Sequence, residues 1–361
     1  MQSSKPVFDN GTFRTVKNLS LDMVSMDDAE EKEAKWLIQD YIPYGQITSY
    51  VGDGGSGKTT GWCSIAADIS SGGVPFLLRG YVPFDYELPE PGLVMFFSAE
   101  DSFEYTLKRR LRKNGANLKN IVSIDVADER FQEVKFNSHF LEQLLDKYRP
   151  VLCIFDPIQA FVPPTIRMGD RNAMRSCLAP LIGYGEKYGT TFLIVMHTNK
   201  QSGVWGRKRM ADSSDIWDIS RSVLMVGETN EEGIRYISHE KSNYGAPAQT
   251  VLFSIEDETI DFKSYSNKRD KDFVSEADYT TRQLPQRDEA KEFILEFLKD
   301  EIKEISDLDE LAMAMGITKN ALKNAKSDLR KDGLIKTWST GYGSSKKFYI
   351  SLTATEKPTS K

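Results

Sequence analysis

Cysteine is scarce. The 361 residues hold three, Cys63, Cys153 and Cys177, widely scattered. That number and spacing exclude a disulfide framework and a thiolate zinc site. No apolar run approaches the ~20 residues that a membrane span needs. The N-terminal MQSSKPVFDNGTF carries no apolar core of a secretory signal. The expectation is a reduced, cytoplasmic protein with no membrane partner. A basic excess is also missing: 47 Lys and Arg face 53 Asp and Glu, a net charge of −6. The whole chain therefore gives no argument for nucleic-acid binding, and local charge has to be asked about separately. What is present is ordinary for a globular protein. Hydrophobic residues at 40% and charged residues at 28% exclude wholesale disorder. The length suits two domains, or one large core with a small appendage.

Residues 1–35 read as a flexible acidic arm, with six carboxylates and one lysine between Asp22 and Glu33. A solvated tail and an arm docking on a neighbouring subunit both fit that pattern. From Ile47 the texture changes. Short β-branched and aromatic runs mark strands at Ile47–Val51, Leu93–Ser98, Ile121–Val126, Val151–Asp156, Thr191–His197 and Ser222–Val226. Several are apolar throughout, as parallel strands covered on both faces are. Helical patterns lie between them, such as Trp62, Ile65, Ala66 and Ile69 at i, i+3, i+4, i+7. This alternation predicts an α/β core with a mostly parallel sheet. Ile234–Lys241 and Gln249–Lys263 read as antiparallel edge additions. The core is placed at 36–263. Residues 264–287 have few large apolar side chains and no period, so they read as a linker. As a flexible coil its 24 residues would span about 25–30 Å, too loose for tight mechanical coupling. Residues 288–361 read as a small second domain with a short tail.

One motif dominates. Gly52-Asp53-Gly54-Gly55-Ser56-Gly57-Lys58-Thr59 matches G-x-x-x-x-G-K-[ST] in full, after a strand and before a helix. Gly52, Gly54, Gly55, Ser56, Gly57 and Thr60 belong to a loop whose backbone N–H groups can turn inward around phosphates, at a helix N-terminus. Lys58 is expected to reach the outer phosphates of ATP, and the Thr59 hydroxyl to ligate Mg2+. The apolar strand Val151–Phe155 ends in Asp156, which fits the second metal carboxylate. An Asx-turn into Pro157 is the plainer alternative. Strand Leu93–Ser98 runs into Ala99-Glu100-Asp101. In a parallel sheet the C-terminal strand edge lines the ligand crevice, so Glu100 is expected to activate water and Asp101 to cap the next helix. His197 ends another strand on the same edge, where it can sense the γ-phosphate.

Taken together, GDGGSGKTT, FFSAED with the basic helix Lys108-Arg109-Arg110-Leu111, LCIFDPIQAF, LIVMHTNK, and DSSDIWDISRSVLMV followed by HEKSNYG resemble a known group. The chain is similar over residues 36 to 263 to the RecA-fold ATPases of the plasmid RepA type, hexameric replicative helicases within the broader AAA_25 group of mobile-element ATPases. The resemblance implies a RecA-like P-loop core, a ring of subunits and ATP at each interface. It implies that Glu100 is the catalytic carboxylate, Asp156 the metal residue and His197 the sensor. It also implies an arginine finger acting on the neighbouring subunit. Arg207 and Arg209 both match, since the stretch Arg209-Met210-Ala211-Asp212-Ser213 departs from the family's usual R-x-x-G-S. Lys241, in HEKSNYG, is a second trans-acting candidate.

Two basic regions bear on nucleic acid. Residues 198–212, with Lys200, Trp205, Lys208 and net +3, combine cations, glycines and an aromatic, which suits single-stranded backbone and base stacking. A loop bearing Arg167 follows the Asp156 strand, and a RecA-like ring would turn both loops to its channel. The C-terminal segment reads as a winged helix: helices at Ala290–Leu298, Leu308–Met315 and Lys319–Lys331, then a hairpin of Leu334–Trp338 and Lys346–Leu352. Over 316–350, eight basic residues, among them Lys319, Lys323, Lys326, Lys346 and Lys347, face two acidic ones. That charge suits duplex DNA. The leading expectation is a nucleic-acid-stimulated ATPase, a hexameric DNA helicase of a plasmid, phage or integrated element. A recombination or repair ATPase that does not unwind, and an ATP-controlled DNA-binding regulator, are the alternatives.

Overall fold

The computed structural model describes residues 27, 31, 33–82, 86–199, 204–210, 214–299, 301–342 and 346–354, with 171, 214 and 278–286 described by backbone alone. The chain divides into two compact units, Met1–Lys35 and Trp36–Lys361. Nearly all of the first, including most of the acidic arm, lies outside the described residues, as does Lys200.

In the second unit a short antiparallel pair, β1 (Trp36–Ile38) and β2 (Ile42–Pro43), precedes β3 (Ile47–Gly52). The glycine loop then leads into α1 (Lys58–Ser71). The chain continues through β4 (Val94–Ser98), α2 (Lys108–Lys113), β5 (Ile121–Ser123), α3 (His139–Tyr148) and β6 (Leu152–Asp156). Next come α4 (Arg171–Tyr188), β7 (Thr191–His197), α5 (Ser214–Ile219) and β8 (Ser222–Glu228). Three strands complete the sheet: β9 (Ile234–Ser242), β10 (Thr250–Glu256) and β11 (Thr259–Ser266).

The nine strands β3 to β11 form one sheet in the order β11-β10-β9-β8-β3-β7-β6-β4-β5. From β8 to β5 the pairing is parallel, and β9, β10 and β11 add antiparallel. The glycine-loop strand sits at the centre of the sheet, between β8 and β7. The apolar strands behave as their composition demands. In β6, Cys153 and Phe155 enter one core layer and Leu152 and Ile154 the other, because successive side chains point to opposite faces. Phe155 packs against Phe136 and Phe161, with ring centroids 4.9 and 5.1 Å away. The other layer carries Trp62, Ile65, Ala66 and Ile69 of α1, the stripe legible in the sequence.

Gln249–Lys263 adds to the sheet edge antiparallel, as a hairpin. Asp257 and Glu258 adopt left-handed backbone, at φ 47 and 65, and turn the chain between β10 and β11. The segment 264–287 is not a loose linker. It finishes β11 and then forms the first part of a 29-residue helix, α6 (Asp270–Leu298). Tertiary contacts override the weak local pattern at its start. Asp270 is fully buried, Phe273 stacks on Tyr236 at 4.2 Å, and the Arg269 guanidinium donates to the carbonyls of His239, Pro247 and Ala248.

Beyond α6 come β12 (Lys303–Glu304), α7 (Ile305–Ala314), α8 (Lys319–Lys331), β13 (Ile335–Thr340) and β14 (Lys347–Leu352). The three strands form an antiparallel sheet in the order β12-β14-β13. Thr318 caps α8 by accepting from the Ala321 N–H at 3.3 Å. Ala290, Ile294 and Leu298 of α6 share a core with Leu308, Leu322, Ala325, Leu329 and Ile350.

Candidate active site

The strand register brings the predicted residues to one sheet edge. Gly52 at the end of β3 lies opposite His197 at the end of β7, and Asp156 at the end of β6 lies opposite Ser98 at the end of β4. Glu100 follows Ser98 by two residues. A cavity of about 330 Å³ opens at this edge, lined by loop and helix residues 54, 55 and 57–60 together with Glu100, Arg110, Asp156, His197 and Ile255. Gly57 has a positive φ of 93, a backbone that residues with a Cβ rarely adopt, so glycine is strongly favoured there.

Lys58 is buried at the first turn of α1. Its Nζ donates to the carbonyl oxygens of Gly52 at 2.9 Å and Asp53 at 2.7 Å. Burial lowers its pKa, while the charges of Asp156, Asp53 and Glu100 oppose that shift. Asp156 is also buried. Burial pushes its carboxyl up to about 6, against the pull of a hydrogen bond from Trp62. The Trp62 indole N–H, one turn into α1, donates to Asp156 Oδ2 at 2.7 Å. Across the cavity His197 Nε2 lies 3.3 Å from Glu100 Oε1. The Ser98 hydroxyl accepts from the Asp101 N–H at 3.2 Å, so strand end and turn are held together.

The donor set fits Mg2+. Thr59 and Asp156 offer hard oxygen, and among the described residues no group of three or more His, Cys, Asp or Glu forms an all-protein metal cage. Magnesium is commonly held by one or two carboxylates with substrate phosphates and water.

The remaining predicted residues lie elsewhere. Arg209 is buried, not presented outward. Its guanidinium reaches Asp53 of the glycine loop, Asp270 at the start of α6 and, at 3.1 Å, the Tyr236 hydroxyl. Arg207 is half-exposed and pairs with Asp218 at 2.6 Å. Lys241 stands outside the cavity lining, where its Nζ donates to the carbonyls of Trp217, Asp218 and Ser220 at the end of α5. Trp205 is exposed, with Lys271 Nζ 5.4 Å from its ring centre. Lys208 and Arg167 are exposed. On α8, Lys319 and Lys323 are exposed, while Lys326 pairs with Asp309 at 2.7 Å. Lys346 and Lys347 are exposed, and Lys347 pairs with Glu304 at 2.6 Å.

Two residues near the chemistry had no role in the sequence reading. Arg110 lines the cavity and approaches Asp101 at 3.6 Å. Its signal was the basic run after FFSAED. Trp62 read only as one position of an apolar helix stripe.

A glycine loop between a central parallel strand and a helix, with Asp156 at a neighbouring strand end and Glu100 just beyond another, is the arrangement of a P-loop nucleoside triphosphatase. Residues 12–203 match the AAA domain family AAA_25, and the chain belongs to that family. No curated protein matches the chain. Among solved structures it is similar to the crystal structure of the RadB recombinase, at 16% identity and a TM-score of 0.43, covering 62% of this chain and 93% of that one.

Proposed function

We propose that this chain hydrolyses ATP with Mg2+ as an oligomer and uses the cycle to move on nucleic acid, as a ring-forming, hexameric DNA helicase serving a plasmid, phage or integrated element. The observation that supports hydrolysis is the gathering of Lys58, Thr59, Glu100, Asp156 and His197 around one cavity at the end of four parallel strands. Lys58 holds the outer phosphates of the substrate, and the backbone N–H groups of residues 54–60 cradle the rest. Magnesium, when bound, neutralises phosphate charge, and Thr59 and Asp156 are the residues that hold it. Glu100 takes the proton of the attacking water. His197 orients that carboxylate and links the site to the loop that follows β7.

Oligomerisation is supported by what the lining contains. Its only cations among the described residues are Lys58 and Arg110. An arginine from a neighbour contributes about 10³–10⁵ in rate in characterised phosphoryl-transfer enzymes. Arg207 is the better finger of the two arginines, because it is half-exposed and its ion pair with Asp218 lies at the surface. Surface pairs contribute about 0–1 kcal/mol and exchange readily. For nucleic acid, the support is positional. Trp205 and Lys208 lie on the segment leaving His197, and α8 with its hairpin has the element order of a winged helix and exposed lysines.

The deciding experiment is the ATPase rate with and without single-stranded DNA, with mass determination in ATP. Forked-duplex strand displacement accompanies it. Stimulation, a ring-sized assembly and displacement support the helicase. Stimulation without displacement selects the recombination or repair alternative. No stimulation, together with sequence-specific duplex binding, selects the regulator.

A further inference from the structure

The glycine loop contains one carboxylate, Asp53, and it sits in a site meant for a polyanion. The surroundings are already acidic. Asp53, Glu100 and Asp156 all act on the Lys58 charge. An ionised Asp53 turned toward the phosphates would oppose binding by simple Coulomb repulsion. The structure shows where that carboxylate goes instead. Its two oxygens are taken by the Arg209 guanidinium and the Thr198 hydroxyl, and Asp53 is not among the residues lining the cavity.

We infer that Arg209 works within its own subunit, as a positioning residue that neutralises Asp53 and holds the glycine loop in its phosphate-accepting shape. The inference rests on the reading of this cavity as the phosphate site. Three further observations support it. Arg209 has little freedom to leave, since its side chain is 10% exposed and also pairs with the fully buried Asp270. Burial opposes its charge, yet Asp270, Tyr236 and Asp53 together hold it firmly protonated. Asp270 is itself fixed, accepting from the Gly206 N–H at 3.0 Å and the Tyr236 hydroxyl at 2.8 Å. The arginine is therefore anchored on α6 and β9 and presents its other edge to the loop. The Asp53 carbonyl, on the same residue, accepts from Lys58 Nζ at 2.7 Å and from the Ser56 hydroxyl at 2.8 Å. Holding the Asp53 side chain thus fixes a peptide on which the binding lysine also depends. This role differs in kind from an arginine finger, whose loss lowers turnover at a neighbour's site and leaves nucleotide affinity in its own subunit intact.

The test uses the full chain and a fluorescent adenine nucleotide titrated in parallel as mono-, di- and triphosphate. Arg209→Gln should weaken triphosphate binding about tenfold, from one uncompensated charge near the phosphates. The loss should shrink from triphosphate to monophosphate, and also as salt is raised. Asp53→Asn added to Arg209→Gln should restore affinity, since the repelling charge is gone. Because Arg209→Gln leaves Asp270 without its cation, the set is repeated with Asp270→Asn added, which keeps the acceptor and removes the charge. Lys58→Ala serves as control for the site itself. If it leaves nucleotide affinity unchanged, the cavity is not the phosphate site. If Lys58→Ala weakens binding but Arg209→Gln does not, or the Asp53→Asn addition restores nothing, the cis role is overturned. A loss equal for all three phosphate lengths also overturns it. Recovery of turnover on mixing Arg209→Ala with Glu100→Gln subunits, with affinities unchanged, assigns Arg209 to the neighbour's site instead.

Discussion

Trp62→Phe isolates one hydrogen bond. The substitution keeps an aromatic ring in the core, where Trp62 lies 5.4 Å from Phe96, and deletes the indole N–H that donates to Asp156 at 2.7 Å. A hydrogen bond to a charged acceptor contributes about 1.5–3 kcal/mol. An orienting partner behind a metal ligand typically accounts for 10–100-fold in metal affinity, and the two figures agree. The buried carboxylate would lose its fixed orientation and its donor together. The expected result is a Mg2+ midpoint for nucleotide retention raised about 10–100-fold, with metal-free nucleotide affinity close to wild type. The smaller ring should cost about 1–3 kcal/mol of stability on its own account, so thermal melting is read separately. The assay is a Mg2+ titration of fluorescent nucleotide binding, repeated in an Asp156→Asn background. If Trp62 acts through Asp156, the second substitution adds nothing to Mg2+ dependence there, because the interaction is already gone. An unchanged Mg2+ midpoint refutes the reasoning, and so does a full effect that persists without the carboxylate.

Glu100→Gln should retain nucleotide binding and lower turnover by at least about 10²-fold, the usual contribution of a positioned base; single-turnover hydrolysis measures it, and a normal rate removes Glu100 from that role. Replacing the exposed pair Lys319 and Lys323 by Ala should weaken duplex DNA binding and reduce its log–log salt slope by about 2, one per lost phosphate contact; an unchanged slope places the DNA elsewhere. Stability should respond to pH through two buried groups of opposite sign. Burial raises Asp68 to about 6, so its contribution is full below about 4 and is lost as pH rises through 6. Burial lowers His239 to about 4, so its contribution is present above about 6.5 and is lost as pH falls through 4. Melting curves from pH 4 to 7.5 should therefore steepen with acid in Asp68→Asn and flatten in His239→Gln; the reverse pattern overturns the assignment.

Much of the site was legible because its signals are local. The glycine loop, the apolar β6 ending in Asp156 and β7 ending in His197 are contiguous strings whose composition already states their environment. The end of β4 placed Glu100 by the same logic. What escaped depends on contacts distant in sequence. The bond from Trp62 to Asp156 joins residues 94 apart, and no spacing rule announces it. Arg209, in its basic stretch, reads as a candidate finger for a neighbouring site, and only the fold shows that β9, α6 and the glycine loop enclose it. The start of α6 escaped for a related reason. Its helical state rests on Asp270 and Phe273 packing into the core, two residues too few to make a periodic stripe. Helical stability in proteins comes mainly from such tertiary packing rather than from propensity.

That helix changes how motion can travel. At 1.5 Å per residue, 29 residues make a rod of about 43 Å, fixed at one end beside the glycine loop by Asp270 and carrying the Leu298 end into the C-terminal core. A rod pivoting at its anchored end works as a lever. A tilt of only about 10° at Asp270 sweeps the far end through about 7.5 Å, roughly two base-pair steps along duplex DNA. A small tilt of α6 at its Asp270 end would thus reach the C-terminal core as a displacement many times larger.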